Sequence, residues 1–214
     1  MEYKENTDFI SDLLFVPHKK TLIASSGDGS LSVFDIRKST LFARSQFYED
    51  DLLSLALIKG GKAVVAGSQM GYLNIFEWGF WGDVSDRFPG HPLSVDTICP
   101  YDDDVCFTGS SDGLIRCIQI HPNRFFGIIG SHDDFPVEQL KLHRNKHILA
   151  SLSHDMTVAF WDVKDFERKD DDEESIKEEE AEEEEEKLPP KKAKLSKQTD
   201  KKKSDNAQFF ADLD

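Results

Sequence analysis

The sequence predicts an all-β fold, a β-propeller-type array of blades, followed by a charged C-terminal tail. Four similar segments begin at Ser26, Ser68, Ser110 and Ser153, which are 42, 42 and 43 residues apart. A repeat of roughly 40 to 45 residues is typical of a propeller blade. Within each repeat, short apolar runs alternate with turn residues, as antiparallel strands and hairpins require. We therefore expect blades in residues 1–163 and a disordered tail in residues 164–214.

The first repeat shows how the individual strands are predicted. Apolar runs over residues 10–16, 22–25 and 31–36 predict three strands, and residues 17–20 predict the turn between the first two. The tight turn that follows contains Gly29, and glycine adopts a positive φ at no steric cost. Gly71 and Gly113 occupy the same position in the next two repeats, whereas the fourth repeat has Met156 there.

Two hallmarks assign these repeats to the WD40 type of propeller, with four-stranded blades. Trp161-Asp162 is the dipeptide after which such repeats are named, and a glycine-histidine signal precedes a strand at Gly90-His91. In WD40 blades a histidine, a strand hydroxyl, a turn aspartate and a tryptophan form a buried hydrogen-bond chain, since buried polar groups need partners. The residues that match this chain are His132, Ser151, Asp155 and Trp161 in the fourth repeat, and His91, Thr108 and Asp112 in the third.

The number of repeats bears on how the ring is completed. Four blades are visible, whereas WD40 rings commonly hold about seven. We expect the four blades to be part of a seven-bladed ring. A closed four-bladed ring and completion by another chain are the alternatives. An open ring exposes unpaired strand edges, so we expect poor solubility of this chain alone.

Composition and charge limit the classes of partner. The chain has 41 acidic and 26 basic residues and a net charge of -15, which argues against a basic, phosphate-binding surface. Contact with RNA is therefore expected to be indirect at most. Cys99, Cys106 and Cys117 lack the spacing of a zinc site or a disulfide framework, and we expect them to fill the core. A signal peptide and a membrane-spanning apolar run are not recognised, so no membrane association is expected.

No pattern of residues indicates catalysis. His143 and His147 have a spacing that would suit metal ligands on a helix, but they lie between two predicted strands and are interpreted as a turn. Asp102, Asp103 and Asp104 lack the alternating ligands of a calcium loop. We predict a protein that is not an enzyme and has no catalytic residue, no cofactor, no metal and no small-molecule substrate.

Exposed motifs suggest protein partners instead. Phe34, Asp35 and Arg37 match a box through which some WD40 proteins dock onto the adaptor of a cullin ubiquitin ligase. An exposed arginine after a strand is common, however, and we favour that simpler interpretation. The aromatic pairs Phe80-Trp81 and Phe125-Phe126 are expected to lie mainly in the core between blades.

The tail carries two further candidate motifs. Its long acidic run repels itself and cannot bury enough apolar surface to become ordered. The basic clusters that follow are typical of a nuclear localisation signal: Lys191, Lys192, Lys194, Lys201, Lys202 and Lys203. Phe209, Phe210 and Leu213 restore apolar character and predict a short motif for an external partner, with folding back onto the propeller as the alternative.

Residues 108–140, TGSSDGLIRCIQIHPNRFFGIIGSHDDFPVEQL, and the tail element FFADL resemble the WD repeat-containing protein 55 family. The insertion Pro122-Asn123-Arg124 makes the resemblance fairly specific. The resemblance implies a scaffold in the nucleus and nucleolus that supports ribosomal RNA processing and large-subunit assembly. Pre-ribosomal assembly factors would be its partners, and the family brings no catalytic residues. The alternatives are a substrate receptor of a cullin ubiquitin ligase and a histone-binding chromatin reader.

Overall fold

Each sequence repeat forms its own antiparallel sheet, here called blades I to IV in chain order. The structure, a computed structural model, describes residues 2–164. Two short 3-10 helices, Pro17–Lys19 and Lys59–Gly61, lie in turns of blades I and II. The strands are β1 (Ile10–Val16), β2 (Thr21–Ser26), β3 (Leu31–Asp35), β4 (Thr40–Arg44), β5 (Leu52–Ile58), β6 (Ala63–Ser68), β7 (Leu73–Glu77), β8 (Asp86–Phe88), β9 (Val95–Pro100), β10 (Val105–Ser110), β11 (Leu114–Gln119), β12 (Arg124–Ser131), β13 (Val137–Leu142), β14 (Ile148–Ser153) and β15 (Val158–Asp162).

The strand order confirms the all-β, WD40-type prediction. Blades I, II and III are four-stranded meanders in which each strand pairs with the next along the chain. Blade IV has three strands, β13-β14-β15, in the part of the chain that the structure describes. The described residues end at Lys164, soon after β15, so the prediction of a fourth strand in this blade is not tested by them.

The hairpin between the second and third strands of each blade depends on left-handed backbone. Gly29, Gly71 and Gly113 have φ of 73°, 80° and 79°. A Cβ at Gly29 would lie 2.0 Å from the carbonyl oxygen of Tyr48, so only glycine fits there. Met156 adopts φ of 65° at the same position of blade IV, with a side chain that is 97% exposed. A side chain at this position is thus accommodated only where it extends into solvent.

The hydrophobic core lies between neighbouring blades rather than within one sheet. Three buried clusters occur, one for each consecutive pair of blades in residues 2–164. Each fully buried large apolar side chain contributes about 1.5–3 kcal/mol relative to an exposed one. Fully buried members of the clusters include Ile23, Leu31 and Phe76 between blades I and II, Ile75 and Ile118 between II and III, and Phe107 and Leu149 between III and IV.

A polar residue in the first strand of blades I, II and III also ties each of them to the next blade. Asp12 accepts a hydrogen bond from the backbone N–H of Leu55 at 2.8 Å. Ser54 donates to the carbonyl of Val95 at 2.9 Å, and Thr97 accepts from the N–H of Leu140 at 3.2 Å. The equivalent residue of blade IV is Gln139, which likewise follows a shift of strand register in β13, but its side chain is exposed. A side-chain to backbone hydrogen bond thus joins each of the three pairs of neighbouring blades in residues 2–164.

The two terminal blades each leave an apolar face uncovered. Leu13 of β1 is 60% exposed, whereas Leu55, at the same register position in β5, is 6% exposed. On blade IV, Val158 is 61% and Phe160 71% exposed. Within residues 2–164, the outer faces of blades I and IV lack the cover that blades II and III receive, so the four blades form an open array in this part of the chain.

Candidate protein-interaction site

The structure brings the four predicted residues of blade IV into one hydrogen-bond chain. His132 Nδ1 lies 2.7 Å from Asp155 Oδ2, and His132 Nε2 lies 2.7 Å from Ser151 Oγ. Trp161 Nε1 donates to the same Ser151 oxygen at 2.8 Å. Because Asp155 accepts a hydrogen bond from the Nδ1–H group, Nε2 is the acceptor nitrogen and receives a hydrogen bond from the Ser151 hydroxyl. The bond to His132 lowers the pKa of Asp155. This chain crosslinks the turn and strands of blade IV, and its geometry serves structure.

In blade III the corresponding chain is only partly formed, which corrects the prediction. His91 Nε2 lies 2.8 Å from Thr108 Oγ1, as expected. Asp112, however, binds Arg116 through two hydrogen bonds of 2.6 and 3.1 Å and makes none with His91. A bidentate ion pair is stronger than a neutral hydrogen bond, so the arginine takes the carboxylate. Ile118 occupies the tryptophan position, and its apolar packing replaces that part of the chain.

His91 is consequently buried without an anionic partner. Its Nδ1 makes no hydrogen bond of normal geometry with residues 2–164. Burial, and secondly the charge of Arg116, lower the pKa of His91 to about 4. The ring is therefore neutral in the folded protein at pH 7, and its protonation opposes folding.

We expect acidification to destabilise the protein through His91. Its folded pKa of about 4 lies below the ordinary histidine value of 6.5. As the pH falls from 6.5 towards 4, His91 binds a proton in the unfolded chain but not in the folded protein, and the free energy of unfolding decreases. The decrease is about 2 kcal/mol between pH 7 and pH 5. Urea unfolding at both pH values should show a smaller loss for His91→Gln. An equal loss in the variant would assign the pH dependence to other groups.

Blade I contains a polar network that sequence reasoning missed. Arg44 Nη2 lies 2.9 Å from Asp28 Oδ2, and Asp28 also accepts hydrogen bonds from Ser30 and the N–H of Thr7. Burial raises the pKa of Asp28, but these hydrogen bonds outweigh it and lower the pKa to about 2. The aspartate of this network, but not its arginine partner, could have been found from the sequence, because Asp28 occupies the same turn position as Asp155 and Asp112.

The three residues of the predicted docking box lie at one edge of blade I. Asp35 ends β3, and its carboxylate accepts hydrogen bonds from Arg37 Nη2 at 2.9 Å and Nε at 3.2 Å. This pairing lowers the pKa of Asp35. The Arg37 side chain is 67% exposed, whereas Phe34 is half-buried. The arginine is thus held in one orientation at the surface.

A cleft lies between blades I and II and is lined in part by the residues of this box; we call it the aromatic cleft. It has a volume of about 170 Å³ and lies between β3–β4 of blade I and the loop after β7. The expectation of core aromatics is met at Trp81, which is 4% exposed, but not at Phe80, which is 71% exposed. Phe125 and Phe126 are partly exposed, at 37% and 39%. The residues that line the cleft are Lys19, Thr21, Val33, Phe34, Asp35, Arg37, Phe42, Trp78 and Trp81.

The cysteines and the tail motifs are the predicted residues that remain. The three cysteines are buried and free, and burial raises the pKa of Cys117 to about 12. Residues 2–164 contain neither a group of His, Cys, Asp and Glu side chains suited to a metal ion nor a helix with the length and apolarity to span a membrane. The nuclear localisation lysines and the motif of Phe209, Phe210 and Leu213 lie outside the described residues.

Comparison with known proteins gives consistent matches. The profile of the family described as WDR55 matches residues 1–166. WD repeat-containing protein JIP5 of Cryptococcus neoformans is 45% identical over 172 residues, covering 78% of this chain and 46% of the relative. WD repeat-containing protein 55 is 40% identical in Rattus norvegicus, covering 76% of this chain and 42% of the relative, and 40% identical in Arabidopsis thaliana, covering 77% and 46%. The chain spans less than half the length of these relatives. The protein belongs to the WDR55 family of WD-repeat proteins.

Proposed function

We propose that this protein is a non-enzymatic scaffold of the nucleus and nucleolus that supports ribosomal RNA processing and assembly of the large ribosomal subunit. The match of residues 1–166 to the WDR55 family is the observation that carries the proposal. A WD-repeat array offers several faces to protein partners, which are pre-ribosomal assembly factors in this proposal. The net charge of -15 fits protein contacts better than direct RNA binding.

The polar clusters of the blades support a structural rather than a catalytic role. His132 and His91 bond strand hydroxyls, and Asp28 and Asp112 pair with arginines inside their blades. These groups are used for internal crosslinks, which keep the blades rigid. Rigid blades suit a scaffold, because partners then bind a preformed surface at a small entropic cost.

Affinity purification of the tagged full chain from nuclear extract, with mass spectrometry of the captured proteins, tests this function. Large-subunit assembly factors should be enriched over a tag-only control. A variant with Phe209→Ala and Phe210→Ala should still capture the assembly factors if the blades bind them. It should lose the assembly factors if the tail motif binds them. Capture of cullin ligase subunits without assembly factors would overturn the proposal.

The geometry of Arg37 favours one second candidate, a substrate receptor of a cullin ubiquitin ligase. Asp35 holds the exposed guanidinium at the edge of blade I, as docking onto an adaptor would require. The same purification distinguishes the two functions. Arg37→Ala should abolish capture of the adaptor if this candidate is right, and should leave assembly factors bound if the scaffold function holds.

A further inference from the structure

The aromatic cleft has walls that are already in place. The rings of Trp78 and Trp81 meet edge to face, with centroids 4.9 Å apart, and Trp81 is buried in the core between blades I and II. Lys19 Nζ lies 3.6 Å from the Trp78 ring centroid and donates a hydrogen bond to the carbonyl of Gly61. Trp78 is thus fixed from both sides, by a ring and by a cation. A ligand entering the cleft would not have to order this wall.

The rim of the cleft presents apolar and cationic side chains to solvent. Phe42, which lines the cleft, is 68% exposed. Phe80, within the loop that carries Trp78 and Trp81, is 71% exposed. Arg37 adds an exposed guanidinium whose Nη1 makes no hydrogen bond within residues 2–164. Aromatic residues and arginine are enriched where proteins bind most tightly, so this rim has the composition of an interface centre.

The size of the cleft selects one kind of side chain. Its volume of about 170 Å³ is close to the roughly 150 Å³ of an engineered protein cavity that binds benzene. Half-buried Phe34 and Trp78 line the cleft together with the apolar side chain of Val33. The Tyr3 ring contacts Phe34, with centroids 5.0 Å apart. One aromatic ring therefore fits, with offset or edge-to-face contacts to the walls.

The charge around the cleft indicates which residues would flank the aromatic residue in a ligand. Because the strands run antiparallel in chain order, the β1–β2, β3–β4, β5–β6 and β7–β8 turns lie at the same end of blades I and II. This end is basic although the chain carries a net charge of -15. In blades I and II its cations are Lys19, Lys20, Arg37, Lys38, Lys59 and Lys62, against the acids Asp35, Glu77, Asp83 and Asp86. Asp103 of blade III adds an acid beside Gly60.

We propose that the aromatic cleft binds a short segment of a partner protein in which an aromatic side chain is flanked by acidic residues. The ring enters between Phe34 and Trp78, and a flanking carboxylate accepts from Arg37 Nη1. Asp35 stays paired with Arg37 and keeps the guanidinium plane oriented towards the rim. The site is independent of the ribosome-assembly proposal, since it rests on the geometry of blades I and II alone.

Fluorescence anisotropy with the full chain tests the site directly. The probe is a fluorescein-labelled peptide of sequence Gly-Glu-Asp-Phe-Asp-Glu-Gly. We expect saturable binding that weakens at least tenfold with Arg37→Glu and at least threefold with Phe42→Ala. The matched control Lys38→Glu makes the same charge change in the same turn outside the cleft, and it should alter the Kd less than twofold.

Two peptide controls separate ring insertion from charge attraction. Replacing the peptide phenylalanine by alanine should weaken binding at least tenfold, and replacing its acids by lysine should abolish binding. Equal losses with Arg37→Glu and Lys38→Glu, or unchanged binding of the alanine peptide, would show general charge attraction and overturn the proposal. Absence of saturation up to 1 mM of the original peptide would overturn it as well. Phe42→Ala keeps the test decisive if Arg37→Glu does not fold, because Phe42 is largely exposed.

Discussion

Replacement of His132 by alanine is expected to lower the free energy of unfolding by about 3–4 kcal/mol. The imidazole is 2% exposed and bonds both Asp155 and Ser151. Its removal leaves a cavity, and it leaves the buried Ser151 hydroxyl with the Trp161 N–H as its remaining partner. A lost buried hydrogen bond costs about 1 kcal/mol net, an unsatisfied buried group costs about 1–3 kcal/mol, and the cavity adds to both.

Urea unfolding followed by tryptophan fluorescence measures this effect. His147→Ala is the matched control, because His147 is an exposed histidine in the turn before β14 and should change the unfolding midpoint little. A decrease of less than 1 kcal/mol in the free energy of unfolding of His132→Ala would mean that the hydrogen-bond chain is not what stabilises blade IV. In that case the packing around Leu149 would be the main support of the blade.

The His132 chain was predictable because its members are set by local periodicity. A histidine after a glycine, a strand hydroxyl and a turn aspartate recur at similar offsets in the third and fourth repeats, so the repeat itself indicates which residues meet. The tight turns were predictable for the same reason, since Gly29 and Gly113 must adopt positive φ. In both cases the deciding contacts lie within one blade.

The ion pairs of blades I and III could not be predicted in this way. Arg44 reaches Asp28 across β3 and β4, where Ser32 pairs with Arg44, and a bulge shifts this register by one residue. Arg116 lies opposite Thr108 and takes Asp112 away from His91. Each pairing depends on strand register and on which partner gives the stronger bond, and neither follows from repeat spacing.

The aromatic cleft was inaccessible to sequence reasoning for a different reason. It forms where Lys19 and Phe34 of one blade meet Trp78 of the next, so its members lie far apart in the sequence. Phe80 and Trp81 illustrate this difficulty, because they are adjacent in the sequence but Phe80 is exposed and Trp81 is buried. A sequence pattern identifies aromatic residues in a loop but does not specify which ring faces the adjacent blade.

Gly67→Ala is expected to destabilise the protein by about 3 kcal/mol, at the upper end of the cost of overpacking. A Cβ at Gly67 would lie 2.4 Å from Ser54 Oγ and 2.6 Å from the backbone carbonyl oxygen of Val95, in the next blade. The Ser54 side chain cannot give way freely, because it donates to that same carbonyl. Blade III must therefore move away from blade II, which also loosens the core cluster between them.

Comparison of thermal unfolding for Gly67→Ala and Gly82→Ala isolates the effect of the neighbouring blade, because a Cβ at Gly82 would meet nothing within 4 Å. The loss of unfolded-chain entropy favours folding in both variants, so an equal destabilisation of the two would show that the close approach of Val95 is not its cause. Leu152 shows why the cost should depend on the neighbour: it lies opposite Gln139 as Gly67 lies opposite Ser54, and it is 39% exposed. A large side chain is accommodated on the open face of blade IV, whereas the close approach of Val95 restricts blade II to glycine. Packing between blades, more than the propensity of a single strand, thus determines which residue each position tolerates.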